Sequence, residues 1–126
     1  MTYQTLIIGH RLPGVTPSEF KRRYERHMAH IREMAGVHFP LLHRRRYIQR
    51  ADGENATVIV GPQADFDYDV LAEMVFENED AAKKFYGILG EEENAKWIEQ
   101  DESGFFDRNR VRLVVLGEVE VTERKA

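Results

Sequence analysis

His27 stands near the middle of an otherwise apolar series, Phe20, Tyr24, Ile31 and Met34, with Met28 and Ala35 at its edge. The steps along the series are four, three, four and three, the repeat of one helix face. An imidazole on such a face is costly to bury unless its nitrogens find partners. Its ordinary pKa of about 6.5 suits it to move protons near neutrality. Two readings stand side by side: a core histidine satisfied by a carbonyl or carboxylate, or a general acid/base facing a cleft. Tyr24, on the same stripe, could hydrogen-bond a substrate carbonyl and stabilise an enolate, or serve as a core aromatic with its hydroxyl at the rim. Asp101 and Glu102 fall where a short helix gives way to a loop. There they could cap the helix end, or one could orient His27 as a carboxylate orients a catalytic imidazole.

Other polar and aromatic groups qualify by type. His43 and Tyr47 are four apart on a predicted strand, so they share one face. They line a pocket if that face meets the helices and meet water if it does not. His10 ends the first predicted strand. Phe20, Tyr68, Trp97 and Phe105 could wall in a flat aromatic ligand, or simply fill the core. All five histidines lie within residues 10–43. His27 and His30 have a spacing that metal sites use, yet no carboxylate follows in a recognised motif, and the expectation is no metal. Gly9, Gly14 and Gly36 do not form a phosphate-cradling G-x-G-x-x-G loop. No G-x-S-x-G nucleophile elbow appears either.

These side chains must be positioned by a single domain over residues 1–126. Hydrophobic residues make up 42% and charged residues 32%, which marks a globular chain rather than a disordered one. There is no cysteine, so disulfides, thiolate ligands and a cysteine nucleophile are excluded. The beginning of the sequence lacks a signal-peptide pattern, and no apolar run reaches membrane-spanning length. The expectation is a soluble, cytoplasmic protein without membrane partners. The net charge of −4 is uneven: residues 1–50 carry ten Lys/Arg against three Asp/Glu, and the remainder eight against nineteen. Net acidity opposes the term that dominates nucleic-acid binding, so no nucleic-acid partner is expected, and the two halves interleave.

The elements follow from local signals. Residues 3–12 read as a strand ended by Pro13-Gly14. Thr16-Pro17-Ser18-Glu19 starts a helix, with a capping hydroxyl, an early proline and an acid in the first turn, and Gly36 stops it. Residues 41–50 read as a second strand; His43-Arg44-Arg45-Arg46 is too polar for a two-sided core and fits an edge. Residues 51–69 form a polar connection in which Val58-Ile59-Val60 could pair briefly or pack underneath. Residues 70–77 make the best central strand, and Asn78-Glu79-Asp80 caps a second helix. A short helix over about 91–100 precedes a turn at 101–107, and the last strand runs from Val111 to Val121. The order βα, ββ, αβ is the ferredoxin-like split βαβ pattern: an α+β sandwich with a four-stranded antiparallel sheet and helices on one face. In the last strand Val111, Leu113 and Val115 point one way, Val114 and Leu116 the other. Apolar groups on both faces favour two sheets pairing face to face, a homodimer forming a dimeric α/β barrel.

The chain resembles the EthD-like branch of the dimeric α/β barrel proteins, especially small proteins of fungal aromatic-polyketide pathways. Four pieces carry the resemblance, in order and spacing: Leu12 to Phe20 with Tyr24-Glu25-Arg26-His27; Arg46-Tyr47-Ile48-Gln49; Asp69 to Phe76; and Asp101-Glu102 with Phe105-Phe106-Asp107. One departure is Ala29, where the family often has a proline, followed here by His30. The resemblance implies a cavity between sheet and helices and chemistry without metal or organic cofactor on aromatic or poly-β-keto substrates. It favours His27 as the proton-transferring group and Asp101 as a pocket residue. The function expected is a cofactor-independent lyase of secondary metabolism, a decarboxylase or dehydratase acting on an aromatic polyketide intermediate. His27 would be its acid/base, Asp101 would hold the tautomer, and Tyr24 would steady the enolate. The alternatives are a cyclase or isomerase in the same pocket, a cofactor-free oxygenase, and a non-catalytic small-molecule binding module.

Overall fold

A computed structural model describes residues 2–126. Its elements are β1 (Tyr3–Gly9), α1 (Pro17–Ala35), β2 (Leu42–Tyr47), β3 (Val70–Phe76), α2 (Glu79–Leu89), α3 (Glu92–Glu102) and β4 (Arg112–Val115). The strands form one sheet in the order β2-β3-β1-β4, with every neighbouring pair antiparallel. This is the ferredoxin-like α+β arrangement, with β3 inside the sheet and the arginine-rich β2 at its edge.

α1 begins as its sequence dictates. The Thr16 hydroxyl accepts the Glu19 N–H, and Pro17 sits where its missing N–H costs nothing. It ends at Gly36, whose φ of +55° favours glycine. Asn78 caps α2 by accepting the Ala81 N–H. Burial alternates strictly along β3: Val70, Ala72, Met74 and Phe76 face the helices, and Leu71, Glu73 and Val75 face outward. The core between sheet and helices centres on Phe20, Val70, Phe76, Phe85 and Phe105, all fully buried. Gly9 is required by packing, since a Cβ there would sit 2.8 Å from the Phe106 ring and 2.9 Å from Val70.

Four expectations are corrected. The last strand ends at Val115 rather than Val121: its ladder with β1 runs from Ile8↔Arg112 to Thr5↔Val115, and one further bond joins Leu116 N–H to the Gln4 carbonyl at 2.9 Å. Val119 and Val121 lie beyond it, exposed. α3 runs on to Glu102, so Asp101 and Glu102 are helical rather than part of a turn. Ile59 and Val60 are exposed, with no packing under the connection. On α1, Met28 and Ala35 are core residues, whereas Met34 is only half-buried.

Candidate active site

The α1 stripe carries His27 into the gap between the helices and the sheet, and the last turn of α3 arrives against it. His27 Nδ1 lies 2.7 Å from Asp101 Oδ2 and Nε2 lies 3.3 Å from Glu102 Oε2. The imidazole therefore sits between two carboxylates contributed by consecutive residues. Its ring stacks on Trp97 with centroids 5.3 Å apart and meets the edge of Phe105 at 5.6 Å. Only 3% of the side chain is exposed.

A cavity of about 220 Å³ opens beside this ring. Its apolar wall includes Ile7, Met28, Ile31, Met74, Phe85 and Phe106, and its polar groups include Tyr24, His27, Glu102 and Arg108. Arg108 Nε stands 3.4 Å from Glu102 Oε1, so one Glu102 carboxylate joins the imidazole to a guanidinium at the cavity rim. A mostly apolar hollow with a few convergent polar groups is the usual form of a small-molecule site.

Tyr24 borders the cavity, is buried, and places its hydroxyl 3.4 Å from His43 Nε2. Burial pushes the Tyr24 phenol well above the ordinary tyrosine range, so it stays protonated. Burial, with the nearby Arg45 guanidinium, pulls His43 down to about 4, so this imidazole is neutral at neutral pH. Behind it, Arg45 grips Glu25 through two hydrogen bonds of 2.5 and 2.6 Å, and Tyr47 O–H donates to Glu25 at 2.5 Å. The Arg45 and Tyr47 hydrogen bonds hold Glu25 down at about 2.

The structure brings together His27, Asp101 and Tyr24, though Asp101 reaches the imidazole from behind and does not border the cavity. His43 and Tyr47 do face the helices, but lie beyond the cavity wall on the β2 side. Phe20 and Phe105 are core, and Phe105 buttresses His27. Trp97 covers the imidazole from outside and also stacks on His30 at 3.7 Å. That contact gives His30 a packing role on the flank of α1. His10 and Tyr68 are elsewhere, edge to face at 6.5 Å near the end of β1, where His10 Nε2 approaches Asp67 at 3.4 Å.

That end also holds a larger cleft, about 720 Å³, lined by Arg11, Asp52, Asp67 and Arg110 among others. Both of its arginines are taken up by carboxylates. Arg11 and Arg50 bind the buried Asp69 at 2.6 and 2.9 Å, and Arg110 binds Asp67. Arg11, just after β1, and Arg110, just before β4, thereby hold the end of the 48–69 connection at Asp69 and Asp67. Among the described residues, no group of three or more His, Cys, Asp or Glu side chains is arranged to hold a metal ion, and no helix is long and apolar enough to cross a membrane.

Sequence reasoning weighed Glu102 as a helix cap or an orienting group, ranked it below Asp101 as a pocket residue, and missed Arg108, Met74 and Phe106 as cavity residues. Met74 was accessible from the alternation of β3, which sends it to the helix side. Arg108 lies in an irregular segment, and no periodic signal could have placed it.

The EthD domain family model matches residues 12–109. Among solved structures, At3g17210 of Arabidopsis thaliana superposes with a TM-score of 0.57 at 11% identity, covering 96% of this chain and 99% of that one. SnoaB of Streptomyces nogalater, described as a cofactor-independent oxygenase, gives 0.54 at 11% identity, covering 98% of each chain. An ethyl tert-butyl ether d (EthD) family protein of Bacillus halodurans gives 0.54 at 14% identity, covering 93% of this chain and 99% of that one. At these identities the structural likeness speaks for the fold alone. No protein of curated function matches the chain in sequence.

Proposed function

The chain belongs to the EthD domain family, and from that premise we propose that it is a cofactor-independent lyase, removing carbon dioxide or water from an aromatic polyketide intermediate. The observation that carries the reading is the imidazole of His27, held on Nδ1 by Asp101 at 2.7 Å and bordering an apolar cavity. A carboxylate on Nδ1 fixes the tautomer and supports positive charge on the ring. Substrates with β-keto groups delocalise the electrons left by a departing carboxylate or proton. The protein then supplies mainly positioning and a proton. The buried Tyr24 phenol, protonated throughout the neutral range, is a suitable donor to the developing enolate oxygen. SnoaB, a cofactor-independent enzyme on the same fold, supports chemistry without a cofactor and leaves the reaction type to the pocket.

The cavity also bears on substrate size. A dry cavity of roughly 150 Å³ holds benzene, so about 220 Å³ fits a one- or two-ring compound. The test is mass analysis of products from one- and two-ring aromatic β-keto acids and β-hydroxy ketones. Loss of carbon dioxide or water is expected, with His27→Ala lowering the rate roughly 10²–10⁴-fold while the circular dichroism spectrum is retained. Full activity in His27→Ala would remove this mechanism. Tight binding with no change in the ligand would leave a binding module instead.

We also infer that two copies pair through their sheets. The outward face carries Leu6, Ile8, Leu71, Val75 and Val114, with Val114 54% exposed and Leu42 43% exposed. Covering that apolar surface with its own copy removes it from water.

A further inference from the structure

We propose that Glu102 is the catalytic residue that meets the substrate, with His27 beside it on the cavity wall as the store of the proton. The inference rests on the reading of the cavity as an active site and names a different group as the one in contact. Both imidazole nitrogens of His27 already face carboxylates, and Trp97 and Phe105 pack against the ring. The side chain is 3% exposed, against 19% for Glu102. Glu102 borders the cavity, and its second oxygen is steadied by Arg108.

Proton counting sharpens this. A neutral imidazole that donates Nδ1–H to Asp101 presents a bare lone pair at Nε2. Glu102 Oε2 stands 3.3 Å away, and two acceptors at that separation repel. A proton on either atom removes that repulsion, and the proposal places one there, at the wall of the cavity. With the proton on Nε2, the ionised Glu102 can take a proton from a substrate carbon next to a carbonyl. The C–H electron pair moves into the carbonyl and forms an enolate. The proton on Glu102 then goes back to carbon, or to a hydroxyl that departs as water with its bonding pair, and the resting count is restored. Arg108 is a positioning residue in this scheme, holding the carboxylate toward both partners.

The test uses α-tetralone, a bicyclic aryl ketone matched to the cavity, and follows deuterium incorporation at its C2 position in D₂O. The wild-type protein is expected to accelerate exchange. Glu102→Gln should lower the enzymatic rate roughly 10²–10⁴-fold with ketone affinity and circular dichroism unchanged, and Glu102→Asp should restore part of it. His27→Asn should slow exchange and alter its pH profile, because the stored proton is gone. Wild-type exchange in Glu102→Gln together with a dead His27→Asn would overturn this inference and leave the proposed function standing, with the imidazole itself in contact. Wild-type rates in both variants, or no exchange by the wild-type protein, would overturn both.

Discussion

Asp101 and Glu102 are neighbours on one helical turn, yet they reach opposite nitrogens of a single ring. The helix end makes this possible, since the two side chains diverge by about 100° around the axis and straddle the imidazole presented by α1. Tyr24 contributes differently. Among the described residues its hydroxyl has one side-chain partner, His43 Nε2 at 3.4 Å, a long contact of little strength. Tyr24→Phe is therefore expected to cost no more than about 1 kcal/mol in urea unfolding, while lowering turnover by a larger factor because the donor to the enolate is lost. A variant with unchanged turnover and much lower stability would make the phenol a structural group only.

At the scale of elements, α1 is tied to the edge strand β2 through Glu25, Arg45 and Tyr47, with His43 beside them. Their titration sets a signed pH dependence. Glu25 titrates at about 2 in the fold against an ordinary value of 4.5, so its contribution is present above the higher value and lost as pH falls through the lower. His43 titrates at about 4 against 6.5. The unfolded chain takes up that proton first, so stability falls between those two values as pH drops and then levels off. Chemical denaturation as a function of pH should show both windows, with the upper one absent in His43→Gln and the lower one absent in Glu25→Gln. A stability flat from pH 7 to pH 3 would contradict this account.

These links also mark what the sequence could and could not reveal. The α1 stripe was legible because a helix repeats its face every three or four residues, and the caps at Thr16 and Asn78 were legible because orphan N–H groups call for such side chains. β3 was legible as a near-continuous apolar run from Val70 to Phe76, broken only by Glu73. The end of β4 was not, because Val119 and Val121 continue the strand pattern while the ladder with β1 stops at Thr5↔Val115, a long-range pairing that local pattern does not encode. His27 stood out through the cost of burying it. Its juxtaposition with Asp101 depends on how α3 packs across α1, a long-range arrangement that spacing along the chain does not encode, and the pairing expectation drew on family resemblance. Arg108 depends on the irregular path between α3 and β4 in the same way.

For the whole molecule, one sheet face is covered by helices and the other is a largely apolar surface crossed by the Arg44–Glu73 ion pair, with Arg46 and Arg112 on its outer strands. Sedimentation of the wild-type protein is expected at twice the mass of one chain. Leu71→Lys, in the outward row of an inner strand, should give folded monomers. A wild-type monomer at micromolar concentration would contradict the pairing. The proposed proton-handling site needs only one chain, since His27, Asp101, Glu102, Tyr24 and the cavity come from one fold. The most direct test of that site is ¹⁵N NMR of the His27 ring, assigned by comparison with His27→Asn and read before and after saturation with α-tetralone. The account predicts a proton fixed on Nδ1 in both states, lost from that position in Asp101→Asn, and an Nε2 resonance that moves when the cavity fills. A ring that exchanges freely between tautomers, or an Nε2 signal indifferent to the ligand, would contradict it.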